Sequence, residues 1–118
     1  MSKRIQQVNQ LIKKELSQII FREVDFPEEV LVTVTRAETS SNLSQTKVYI
    51  STLPEDKFQE IFEILNKLIY FLQKKLDRRL KMRPIPKIQF IEEKKTVEAG
   101  RVEEVLEQIY QNNPKTKN

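Results

Sequence analysis

Apolar positions along the chain follow two rhythms, and the switches between them mark out the elements. Between residues 3 and 22, Ile5, Val8, Leu11, Ile12, Leu16, Ile19 and Ile20 recur mostly at three- and four-residue steps. Lys13, Lys14, Arg22 and several glutamines fill the gaps, as in an amphipathic helix. Asp25-Phe26-Pro27 ends it, because the residue before a proline is pushed out of the helical region. From 30 to 38 the period drops to two. Val30, Val32 and Val34 point one way and Leu31, Thr33 and Thr35 the other, a strand rich in β-branched residues. Thr39-Ser40-Ser41-Asn42 reads as a turn, with Asn42 the residue suited to a left-handed backbone. A second strand over 45–52 sets Thr46, Val48 and Ile50 against Lys47, Tyr49 and Ser51. So short a link predicts an antiparallel hairpin.

Thr52 and Glu55 have capping-box spacing and are expected to open a long helix. Phe58, Ile61, Phe62, Leu65, Leu68, Ile69, Leu72, Leu76 and Leu80 form its apolar stripe, and it should stop by Arg83, ahead of Pro84 and Pro86. A straight rod over 55–82 would run about 40 Å at about 1.5 Å per residue, too long for so small a domain. A bend is therefore predicted between Asn66 and Phe71. Residues 87–91 form a third strand with Ile88 and Phe90 inward. Val97 to Tyr110 reads as a last amphipathic helix on Val102, Val105, Leu106 and Ile109, and 112–118 as a disordered polar tail. The expected fold class is α+β, in the order α-β-β-α(bent)-β-α, as a single domain over 1–111 with the helices on one face of a three-stranded sheet.

Composition narrows the chemistry more than the fold. The 118 residues include no Cys and no His, which excludes disulfides, thiol chemistry, the usual zinc sites and histidine acid–base catalysis. Glu28-Glu29, Glu92-Glu93 and Glu103-Glu104 are adjacent pairs, which do not converge in a helix or a strand, so they read as solvated faces. No enzyme activity, metal, cofactor or small-molecule substrate is expected. The longest apolar run, Leu68 to Leu72, is far too short for a bilayer, and no apolar leader follows Met1-Ser2-Lys3-Arg4-Ile5. A cytoplasmic monomer is the expectation.

The formal net charge of +4 points toward a polyanionic partner only if it is concentrated. It is concentrated, in the run Lys74, Lys75, Arg78, Arg79, Lys81, Arg83 and Lys87, with Asp77 the only acid between them. Cations suit the end of a helix dipole, each offsetting about 0.3–1 kcal/mol, but only within the last turn. Lys74 and Lys75 lie further back, which favours a phosphate-binding face. Lys3, Arg4, Lys13 and Lys14 are further candidates for RNA contact. Phe58, Phe62 and Phe90 sit on apolar faces and read as core, and Tyr49 is expected to pack beneath the helices. The charge pattern leaves an RNA-binding protein and a protein–protein adaptor open.

Three stretches in order resemble the ribosome-binding factor A family. They are Arg4-Ile5-x-x-Val8 leading to Glu15-Leu16-x-x-Ile19-Ile20, Val32-Thr33-Val34-Thr35 followed by Ser41-Asn42-Leu43-x-x-Thr46-x-Val48-Tyr49-Ile50-Ser51, and Leu80-Lys81-Met82-Arg83-x-x-Pro86-x-Ile88-x-Phe90. The resemblance implies a type II KH-like fold, binding to the small (30S) ribosomal subunit and its 16S rRNA, and a role in late maturation of that rRNA. A general KH-like RNA chaperone or RNA-binding protein, and a protein–protein adaptor, are the alternatives to this ribosomal-RNA-binding assembly factor. Asn42 and Thr46 depart from the family's usual Asp and Ala. Leu68-Ile69-Tyr70 stands where the family has an Ala-x-Gly break, and Gly100 is the only glycine in the chain, so no GxxG phosphate loop is present.

Overall fold

The structure, a computed structural model, describes residues 2–94. The helix expected at 97–110 and the tail lie outside the described residues. Helix α1 (Lys3–Glu23) opens on Ser2, whose Oγ accepts the Ile5 N–H at 3.1 Å. It buries Ile5, Val8, Ile12, Leu16, Ile19 and Ile20. Leu11, read from spacing as part of that stripe, faces outward instead. Strands β1 (Leu31–Thr39) and β2 (Gln45–Leu53) pair antiparallel, and β3 (Lys87–Glu92) adds parallel to β2, giving the order β1-β2-β3. Val34, Ala37, Val48, Ile50, Ile88 and Phe90 form the inner face of this sheet. They pack against α1, α2 (Phe58–Lys67) and α3 (Ile69–Arg79).

The period of two in β1 does not run unbroken. Val34 pairs with Ile50 and Arg36 with Tyr49, so Thr35 is an extra residue, a bulge. The bulge shifts the phase by one, turning Ala37 and Thr39 inward and keeping the Arg36 guanidinium out of the core. At the hairpin the left-handed residue is Leu43 (φ 61°), not Asn42. Asn42 serves the turn through its side chain, whose Oδ1 accepts from Ser40 Oγ and Ser44 Oγ at 2.7 Å and from the Ser44 N–H at 3.1 Å. Leu43 gains partial burial against the core in return.

The expected capping box does not form. Thr52 stays in β2, where its Oγ1 donates to the Pro54 carbonyl at 3.1 Å, and a short 3-10 turn (Glu55–Lys57) leads into α2. The expected bend does form, at Leu68 (φ −101°, ψ 6°), between α2 and α3. There is neither proline nor glycine at the break. A tight turn makes it instead, with the Leu68 N–H donating to Leu65 O at 3.1 Å before Leu72 N–H resumes the helix on Leu68 O at 2.8 Å.

Candidate nucleic-acid interface

Helix α3 carries four of the seven cations of the basic run, and the chain after it carries the other three. It ends at Leu80, whose extended backbone (ψ 138°) leads through Pro84 and Pro86 to β3. Gln73 fixes that return. Its Oε1 accepts the Ile88 N–H at 2.8 Å, and its Nε2 donates to Pro86 O and to Asp77 Oδ1, both at 3.1 Å. The one carboxylate of α3 is thus tied to the same side chain that fixes the start of β3. Nothing in the apolar pattern marked Gln73, although the i, i+4 Gln–Asp pair was a signal.

The seven cations separate by partner. Arg79 Nη1 donates to Glu15 Oε1 and to Gln18 Oε1 of α1, both at 3.0 Å, and Lys75 Nζ lies 3.9 Å from Glu23. As α1 runs forward from 15 to 23, α3 runs back from 79 to 75, so the two helices lie antiparallel, clamped by these pairs. Arg83 Nη1 donates to the carbonyls of Leu80 (3.2 Å) and Met82 (2.6 Å), satisfying acceptors just past the helix end. Lys74, Arg78, Lys81 and Lys87 are exposed and make no ion pair with any described residue. These four are the available cations of the run.

The clamp brings a second group alongside. Lys3, Arg4 and Lys14 are exposed on α1 and Lys13 is half-buried, while Arg22, which the sequence did not single out as a contact, is exposed as well. Lys3, Gln7, Leu11 and Lys14 line a shallow groove on the outer side of α1. Together α1 and α3 hold nine cations and three carboxylates. Glu15, Glu23 and Asp77 are all engaged by the partners above. The 3-10 turn and α2 have the opposite balance, with Glu55, Asp56, Glu60 and Glu63 against Lys57 and Lys67. Charge is therefore segregated, with cations gathered on α1 and α3.

The outer face of the sheet carries a different cluster. Tyr49, expected beneath the helices, lies on this face, its OH donating to Glu38 Oε1 at 3.1 Å. The Arg36 guanidinium sits 3.8 Å over its ring and pairs with Glu38 and with Glu93 Oε1, the latter at 2.9 Å. Thr35 Oγ1 also donates to Glu93 Oε1 at 2.8 Å. The Arg36 hydrogen bond, joined by that of Thr35 and opposed by partial burial, holds the Glu93 carboxyl below its usual pKa. These contacts bridge β1 to the end of β3 across β2. They pair Arg36, the one cation of this cluster, with two carboxylates, while Lys47 and Lys87 remain exposed elsewhere on the same face.

Among the described residues no group of His, Cys, Asp or Glu converges as a metal site requires, and no helix is long and apolar enough to cross a membrane. The sequence profile described as ribosome-binding factor A matches residues 4–106. Ribosome-binding factor A of Nitrosococcus oceani is 36% identical over 99 residues, covering 83% of this chain and 77% of that protein. The crystal structure of ribosome-binding factor A from Thermus thermophilus superposes with a TM-score of 0.68 at 22% identity, over 79% of this chain and 99% of that one. A Thermus thermophilus ribosome-binding factor A homology model, fitted into an electron cryo-microscopy map of a 30S complex, reaches 0.57 at 25% identity, over 70% of this chain and 88% of that one. The sequence profile spans residues 4–106 and a relative is 36% identical over 83% of this chain, so the chain belongs to the ribosome-binding factor A family.

Proposed function

We propose that this protein is an assembly factor that binds the free small ribosomal subunit and assists late maturation of its 16S rRNA, laying the outer face of α1 and α3 on rRNA phosphates. Lys74, Arg78 and Lys81 are its primary phosphate partners on this face, Lys87 reaches phosphate from β3 at its margin, and Lys3, Arg4, Lys13 and Lys14 are secondary partners. Lys75, Arg79 and Arg83 belong to the same surface but spend part of their hydrogen-bonding capacity inside the protein. The observation that carries this reading is the segregation of charge onto the two clamped helices, since polyanion binding depends on local cation density rather than net charge. The fitted 30S complex of the Thermus relative supplies the class of partner. In this reading the protein works in the cytoplasm as a monomer, by binding and without a catalytic step or cofactor.

Sucrose-gradient sedimentation of cell lysate tests the target. The protein is expected with free small subunits, and a strain lacking it should accumulate precursor 16S rRNA. Dispersal through messenger RNA fractions would favour the general RNA-binding reading, and confinement to the lightest fractions would favour an adaptor. Either result overturns the proposal.

A further inference from the structure

Six large apolar side chains are exposed among the described residues: Leu11, Phe21, Leu31, Leu53, Tyr70 and Phe71. The leucines have no π-face. Phe71 already has Lys75 Nζ 5.5 Å from its ring centroid. Phe21 is 90% exposed but adjoins the end of α1, close in sequence to Glu23 and Asp25. Tyr70 differs from all of these. It is 84% exposed in the first turn of α3, and the same ridge continues one and two turns on with Lys74 and Arg78. Lys67, exposed at the end of α2, precedes it. Asp77, the one carboxylate of α3, is hydrogen-bonded by Gln73.

We propose that Tyr70 is a stacking platform for an unpaired RNA base, with Lys74 and Arg78 holding the phosphates that flank it. This rests on the RNA-binding reading above and adds to it the form of RNA recognised, a single-stranded segment rather than a duplex. The warrant is the combination at i, i+4 and i+8. Every base offers a π-face, a splayed strand exposes it, and cations one turn away meet the backbone that carries it. A protein partner would instead be expected to want apolar neighbours around the ring, and this ridge has cations. The ring hangs on only two side-chain torsions, so the entropy lost on stacking is small for the contact area gained.

The test compares a short oligouridylate strand with a blunt RNA duplex of the same length, using fluorescence anisotropy across a salt series. Tyr70→Ala should weaken strand binding roughly 5- to 150-fold. It should leave duplex binding and the salt dependence unchanged, since a neutral ring releases no counterions. Tyr70→Phe should bind like wild type, and Tyr70→Leu, which keeps apolar bulk without a π-face, should bind like the alanine variant. Equal losses on strand and duplex, or wild-type binding by the leucine variant, would overturn stacking. If Tyr70→Ala is silent while Lys74→Glu/Arg78→Glu binds less tightly, stacking fails and the phosphate face stands. If neither variant has an effect, the inference falls together with the reading it rests on.

Discussion

Arg78 and Arg79 are adjacent and chemically identical, yet the fold gives them different work. Arg79 is drawn in against α1, its side chain 27% exposed and bonded to Glu15 and Gln18, while Arg78 points to solvent. Exposed ion pairs are worth about 0–1 kcal/mol and a charge-assisted hydrogen bond somewhat more, so the clamp stands near the upper end of that range. Arg79→Ala should therefore destabilise by about 1 kcal/mol, a fall in Tm of about 4 °C for a domain this size. Arg78→Ala should stay within about 0.5 kcal/mol of wild type. Thermal unfolding of both variants checks the division, and equal losses would remove it. Glu93 makes a second residue-scale case. Its folded pKa is lowered by the Arg36 hydrogen bond, so its contribution to stability is present above the ordinary carboxylate pKa and lost as pH falls through the lowered folded value. Glu93→Gln should cost stability at neutral pH and flatten the acid limb of the stability curve. An acid limb as steep as that of wild type would show that Glu93 plays no part in it.

Apolar packing holds helix α3 against β3, and one side chain, Gln73, adds hydrogen bonds between them. Gln73 takes the Ile88 N–H at the start of β3 and returns a donor to Pro86 O, both part-buried. Gln73→Leu fits the volume but orphans that N–H, which costs about 1–3 kcal/mol. It also frees Asp77 to swing toward Lys74 and Arg78. The expected result is lower stability in denaturant titration together with weaker RNA binding; a change in only one of the two would separate the strut from the screening. The elements of this fold were legible in the sequence because alternation and three-to-four spacing depend only on which face is buried. The bend at Leu68 was legible for the same reason, through a stripe too long for a straight rod. What stayed hidden depended on partners distant in sequence. The bulge at Thr35 exists to keep Arg36 over Tyr49, and the failure of Thr52 and Glu55 to cap α2 follows from Thr52 being kept in β2. The basic run was visible as charge. Its division into clamped and available cations was not, because Glu15 and Glu23 lie more than fifty residues away in sequence.

On the scale of the whole molecule the quantity that matters is where the charge sits. A net charge of +4 spread evenly would bind polyanions weakly, but α1 and α3 hold nine cations against three engaged carboxylates while α2 and its leading turn are acidic. The dipole that results should orient the molecule on a phosphate surface before any specific contact forms. Binding should then fall steeply with salt, because each neutralised phosphate releases condensed counterions. Four available cations imply a log–log slope of about −2.8 to −3.6, at roughly −0.7 to −0.9 per contact. Lys74→Glu/Arg78→Glu should make that slope shallower by about two units while leaving the clamp, and hence the fold, intact. Lys57→Glu, an equal change of charge type made on the acidic side, should leave the slope where it was. This pair of variants separates a built face from diffuse attraction. If Lys57→Glu flattens the slope as much per charge as the α3 substitutions do, position is irrelevant and the segregated charge is not the interface.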